Sequence, residues 1–328
     1  MSVLHELAKT VARLLADDDR RCLLGEDVRS GGMLGLSKLA CDDENLRVRL
    51  LGSPLTNAAH VAHAGGLALA GLRPIVLLPS SAALLEALPA LRELARLPWR
   101  SDGTRSLPLL FVAPDGPGFA LGGEASESVE ATLVQVPGLE VRTAGRVSDL
   151  PAALVSAADF SHEEERACQP RVLLLPRRLL VDDAPVEVSD EQADFQAARI
   201  HCEGEHATLF AWGDAMIPAL AAVEACASAE PPIAVTLVEL ASLAPLELEP
   251  LVAAARATGK LVIAHAGPRQ HGLGAELAAT FADAAILQLD APVRRVTGSA
   301  ALVAAHEEPL ASPTATAIVE AIVEVVNY

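Results

Sequence analysis

Few side chains of this 328-residue chain are spaced for chemistry, and the most suggestive group lies in the stretch GSPLTNAAHVAHAGGLALAGLRP, residues 52–74. Pro54 disfavours helical geometry at Ser53, so the stretch opens extended, and Thr56 or Asn57 stands where a helix N-cap belongs. The Asn57 amide can donate and accept hydrogen bonds, but it cannot exchange a proton as a carboxylate does. His60 and His63 are three residues apart, a spacing that shares a helix face and, with a carboxylate, could bind a metal. No third ligand stands nearby, so no metal site is assigned. Gly116, Gly118, Gly122 and Gly123 could cradle an anion, although such spacing is common in ordinary loops. Glu26 and Asp27 read as a solvated loop or a helix cap, and His265, beside apolar LVIA, as a structural or interface histidine. The five cysteines, at 22, 41, 168, 202 and 226, have no paired spacing, which speaks against a disulfide framework or a zinc site. Neither a serine nucleophile elbow nor a Walker phosphate loop is present.

The elements that must hold these residues alternate between strand and helix. The Ala-, Leu- and Gly-rich run 58–70 suits a helix packed closely on several sides and stopped at Gly71. It is preceded by short strands at 21–25 and 48–51 and followed by one at 75–78. An amphipathic helix interrupted only by Pro89 is predicted over 84–97, a strand buried on both faces over 107–113, a helix over 150–158 and a strand over 171–175. Residues 181–205 are polar and acidic without apolar periodicity and read as a linker. Beyond it come strands near 207–212, 233–237 and 261–265, and helices over 215–227, 248–257, 274–282 and 314–326. Strands alternating with helices of this length indicate parallel βαβ units, hence an α/β fold with two doubly wound, mainly parallel sheets. The domains are expected at 1–180 and 206–328, with 181–205 between them.

The composition narrows the classes of function. Asp and Glu number 43 against 25 Lys and Arg, a formal net charge of −18, which argues against nucleic acid or an anionic membrane as partner. No run reads as long and apolar enough to span a bilayer, and the opening residues lack the pattern of a cleaved leader, so a cytoplasmic location is expected.

Several separated phrases, in order along nearly the whole chain, resemble the β subunit of the E1 component of 2-oxo acid dehydrogenases, which are thiamine-diphosphate enzymes. Gly25-Glu26-Asp27-Val28 resembles the family phrase LGEDV, and SPLTNAAH with GGLALAGLRP resembles TPISEAGI…GAALAGLRP. Trp99-Arg100-Ser101-Asp102-Gly103 is similar to YRSGG, and Val136-Pro137-Gly138-Leu139 to VPGLKVV. The C-terminal phrases VELASLAPLELEPLVAAARATGKLVIAHAGPRQHGLGAE and DAPVRRVTG are similar to VIDLRTLRPLD…TGRLVVVHEAPRTGGFGAE and its sequel. The resemblance implies a transketolase-like pyrimidine-binding domain followed by a transketolase C-terminal domain.

It further implies a pyrimidine pocket near Leu55, Asn57 and Ser80, and here the chain departs from the family. The family's cofactor-activating Glu falls on Asn57, and its active-site His, in a QHSQS-like phrase, falls on Ala125 within Glu124-Ala125-Ser126-Glu127-Ser128. The aromatic residue that packs on the pyrimidine is absent from Leu78-Pro79-Ser80-Ser81. Trp212-Gly213-Asp214-Ala215 is no match for the GDG…N motif that holds the diphosphate through a divalent metal; in two-chain E1 enzymes the α subunit carries it. The expectation is therefore a β-type subunit of a thiamine-diphosphate-dependent E1-like assembly with an altered pocket. It would be inactive as a single chain and would share cofactor and Mg²⁺ with an α-like partner. The alternative is a catalytically silent β-like scaffold or regulatory subunit that binds no cofactor. The resemblance also implies self-association through the C-terminal domain and contact with an acyltransferase core.

Overall fold

The structure, a computed structural model, describes residues 1–53, 56–161, 167–181, 186–188, 195–298 and 303–328. Its strands are β1 (Arg21–Gly25), β2 (Leu50–Gly52), β3 (Arg73–Leu77), β4 (Leu110–Asp115), β5 (Glu140–Thr143), β6 (Arg171–Pro176), β7 (Ala198–Cys202), β8 (Ala207–Ala211), β9 (Val235–Leu240), β10 (Ser242–Ala244), β11 (Leu261–His265) and β12 (Arg294–Thr297). They form a seven-stranded sheet in the order β10-β5-β6-β4-β3-β1-β2 and a five-stranded sheet in the order β12-β11-β8-β9-β7. All pairings are parallel except β10 with β5 and β7 with β9. The two mainly parallel sheets and the α/β class are those expected from the alternation of runs.

Helices cover both sheets because the central strands are apolar on both faces. β4 and β6 are buried at every position, as a strand between two helical layers must be. The helix Asn57–Leu69 lays His60, Val61, Ala64, Gly65 and Ala68 against its neighbours. A Cβ on Gly65 would lie 2.4 Å from a Leu94 methyl, so the small residue is what lets this helix meet Leu88–Arg100 closely. One hydrophobic cluster runs from Val76 and Phe111 through Leu243 to Phe210 and Ile263, so the core passes without a break from one sheet to the other.

Several predicted boundaries move for identifiable reasons. The helix expected over 84–97 is two helices, Ala82–Glu86 and Leu88–Arg100, with the break at Ala87; Pro89 sits in the first turn of the second, where its missing N–H costs nothing. β4 starts at Leu110, three residues later than expected, and ahead of it the Leu107 N–H bonds the Cys168 carbonyl. Within the stretch read as linker, β7 is an edge strand of the second sheet; residues 182–185 and 189–194 lie outside the described residues. By length and composition, residues 305–326 could cross a membrane, contrary to the sequence expectation that no run would. The stretch is a 3₁₀ segment, Ala305–Ala311, then a helix, Ala315–Val326, whose Ile318, Ala321, Ile322 and Val325 are buried in the core of the second sheet.

Candidate functional site

In the seven-stranded sheet β2 lies on one side of β1 and β3 on the other, so the strand order reverses between β1 and β3. The crevice outside the carboxyl ends of strands at such a reversal is where open α/β sheets bind ligands. The helix Asn57–Leu69 follows β2 and the helix Ala82–Glu86 follows β3, and their ends meet. Asn57 Nδ2 donates to Glu86 Oε2 at 2.6 Å on the surface of the chain. Thr56 takes the N-cap position with extended backbone, and Asn57 is the first helical residue, its amide free to reach across to Glu86.

Ser80 belongs to a different set of contacts. Its Oγ accepts from Arg177 Nη2 at 2.8 Å and from the Ala82 N–H at 3.2 Å, and Arg177 also donates to the Gly116 carbonyl. Leu55 lies outside the described residues. Of the three pocket residues implied by resemblance, Asn57 is thus joined to Glu86, and Ser80 to the guanidinium of Arg177. His60 is fully buried with neither ring nitrogen hydrogen-bonded, whereas His63 is exposed, so the two histidines do not share a face. Among the described residues no three His, Cys, Asp or Glu side chains converge as metal ligands.

A second polar region fills the seam between the two sheets. The glycine loop does cradle an anion, and the anion is the chain's own Glu308. The Gly118 and Ala120 N–H groups donate to Glu308 Oε2 at 3.0 and 2.7 Å, the Leu121 N–H to Oε1 at 3.3 Å, and the Ser126 hydroxyl to Oε1. Burial alone would raise the Glu308 pKa; the bonds from Ser126 and these N–H groups outweigh it and hold the carboxyl below its ordinary range. A Cβ on Gly118, at φ 146°, would meet the Arg178 nitrogen at 2.5 Å, and one on Gly122 the Ala305 nitrogen at 2.5 Å, so both positions need glycine for close approach. Ala125 lies in the 3₁₀ turn Gly123–Ser126 and contributes no polar group to this loop.

Deeper in the seam, Asp115, Ser128, Glu130, Thr143, Trp212 and Asp214 line a cavity of about 10 Å³, room for about one water molecule. Burial pushes both Asp115 and Glu130 up, and the proximity of Asp115 raises Glu130 further, to about 8. Trp212, beyond β8, stacks on His265, at the end of β11, with centroids 4.9 Å apart and planes 6° from parallel. His265 Nδ1 bonds the Ala266 carbonyl at 2.7 Å, and burial lowers its pKa to about 4, so the ring is neutral.

The kinship of the chain follows from comparison with known proteins. It is 31% identical over 320 residues to the mitochondrial 2-oxoisovalerate dehydrogenase subunit beta 2 of Arabidopsis thaliana, an alignment covering 96% of this chain and 86% of the relative. The chain belongs to the family of E1 β subunits of 2-oxo acid dehydrogenases. The pyruvate dehydrogenase E1 component subunit beta of Staphylococcus epidermidis is 28% identical over 307 residues, covering 91% of this chain and 90% of its own. Residues 196–318 match the family model of the transketolase C-terminal domain. Among solved structures, a split-gene transketolase described as an inactive beta4 tetramer superposes with a TM-score of 0.73 at 20% identity, covering 100% of this chain and 98% of that one. The transketolase from Leishmania mexicana gives 0.71 at 16% identity, covering 99% of this chain and 45% of its own. The fold of this E1 β-family chain is therefore transketolase-like.

Sequence reasoning missed Glu86, Glu130, Arg177 and Glu308. Each looked like an ordinary charged residue, since what distinguishes it is a partner far away in sequence: 29 residues for Glu86 to Asn57, and 182 to 190 for Glu308 to its donors. Asp115 had a local signal, a carboxylate ending the apolar run LPLLFVAP.

Proposed function

We propose that this chain is the β-type subunit of a thiamine-diphosphate-dependent E1-like assembly, working with an α-like partner that brings the GDG…N motif and the Mg²⁺-bound diphosphate. The observation that supports this most directly is the exposed Asn57–Glu86 pair at the strand-order reversal of the first sheet. An amide and a carboxylate there suit the hydrogen-bonding edge of an aminopyrimidine, so the residues present fit that part of the cofactor. In such an assembly the cofactor, when bound, would supply nucleophilic chemistry toward the carbonyl of a 2-oxo acid. This chain's residues would orient the pyrimidine and hold a proton at its ring nitrogen. No aromatic platform stands between Leu78 and Ala83, and a stacking contact is worth roughly 1 kcal/mol, so ring affinity must come from the partner's side of the site.

Assembly is supported by exposed apolar side chains. Trp99 is 80% exposed beside Arg96 and Arg100, and Leu287, in the C-terminal unit, is 90% exposed. We assign the C-terminal unit to self-association and the first unit to the α-like partner, in a cytoplasmic complex. The second reading, a silent scaffold, is favoured by the seam: Ala125 replaces the family's His, and Glu308 occupies the glycine loop.

Calorimetry on the chain alone and on its complex with an α-like subunit tests the choice. Binding of thiamine diphosphate and Mg²⁺ by the complex alone is the expected result. A stable complex without heat of binding overturns the cofactor reading in favour of the scaffold.

A further inference from the structure

Most acidic side chains that the fold brings into contact are committed to other groups. Glu140 pairs with Arg142 and Arg171, Asp149 with Arg199, Glu239 with Arg199 and His201, Asp214 with Arg178, and Glu308 with its loop. Glu86 differs. It is exposed, ends its helix at the reversal crevice, forms no ion pair among the described residues, and accepts one hydrogen bond, from Asn57. That bond uses the amide nitrogen of Asn57 and one carboxylate oxygen of Glu86. It leaves the amide oxygen and the second carboxylate oxygen open to a ligand.

We propose that Glu86, held in place by the Asn57 amide, is the proton-carrying carboxyl group of the crevice, standing in for the carboxylate absent at position 57. The proposal rests on the reading that the crevice takes thiamine diphosphate. A carboxyl group facing a heteroaromatic ring nitrogen must take a proton from solvent as the ligand binds, so that it can donate to that nitrogen; the same proton can then pass between oxygen and nitrogen. Asn57 is a positioning residue. Its N–H fixes one oxygen of the Glu86 carboxyl group and so sets where the second oxygen points.

The test uses the complex with the α-like subunit, thiamine diphosphate with Mg²⁺ as probe, and calorimetry in two buffers of different ionisation enthalpy. Wild type should take up about one proton per cofactor bound near neutral pH. Glu86→Gln should lose that uptake and weaken binding about tenfold, the loss expected for one well-made hydrogen bond. Asn57→Ala should keep the proton uptake but weaken binding a few-fold, because the carboxyl group is still present and no longer held in place. Asn57→Glu combined with Glu86→Gln should restore uptake and affinity, because the carboxyl returns to the first residue of the helix. If the Glu86→Gln complex matches wild type in affinity and proton count, the proposal is overturned while the assembly reading stands. If the wild-type complex binds no cofactor, the assembly reading fails and takes this proposal with it.

Discussion

The crevice at β1 and β3 and the seam between the sheets are both polar, yet they spend their polar groups differently. In the seam, Glu308 gathers four donors, Arg177 serves Ser80 and Gly116, and Trp212 stacks on a neutral His265. In the crevice, one hydrogen bond joins a half-buried amide to an exposed carboxylate. A closed network stabilises the chain it belongs to, whereas open hydrogen-bonding capacity is at the disposal of something that arrives later. The sheet topology alone would not have separated the two, since the carboxyl ends of strands point into both.

This contrast can be broken by mutation. The largest effect is expected at Glu308: replacement by Ala removes the buried carboxylate that pairs three N–H groups of a partly exposed loop and the buried Ser126 hydroxyl, a loss of ~3 kcal/mol measured by denaturant unfolding. Gly274→Ala comes next, at ~2 kcal/mol, because the new Cβ would lie 2.6 Å from His265 Nε2 and would push the ring off Trp212. A separate effect, read as pH dependence, belongs to Glu130. The folded chain keeps a proton there up to about pH 8, while an unfolded Glu releases it near 4.5. The stability from this group is therefore fully present below 4.5 and is lost as pH rises to about 8. Thermal melts of wild type should decline over that window, and those of Glu130→Gln should decline less. Glu308 has the opposite sign: its contribution is present above the ordinary carboxylate range and is lost as pH falls through its lowered value. The smallest effect is expected in the crevice, where Asn57→Ala and Glu86→Gln should each change stability by less than ~0.5 kcal/mol. A cost near 2 kcal/mol at either position would make the crevice another structural network and erase the distinction.

The two regions were unequally legible in the sequence. Runs such as LPLLFVA and KLVIAH announce central strands because burial on both faces demands continuous apolar side chains. β7 was hidden because it reads ARIHC, with polar residues at alternate positions. Its Arg199 is satisfied by Asp149 and Glu239 and its His201 by Glu239, partners that only the fold supplies. β5, β10 and β12 are too short or too mixed to announce themselves. Position 57 was singled out by the resemblance, since the family's Glu falls on it; its surroundings alone marked no more than a helix N-cap at Thr56 or Asn57. The carboxylate that meets it lies on the next helix, at a position fixed by the break at Ala87, which the pattern around Pro89 placed differently.

β10 has one more consequence. This three-residue strand comes from the C-terminal half of the chain, yet it closes the outer edge of the N-terminal sheet, antiparallel to β5, with the Thr143 N–H bonded to the Ala241 carbonyl. A chain cut between its two α/β units would leave β5 as a bare edge, ready to pair with any other exposed strand. The N-terminal half is therefore a poor candidate for a separate gene: its sheet is finished by a strand from the C-terminal half, and a ribosome must deliver that strand before the β5 edge is covered.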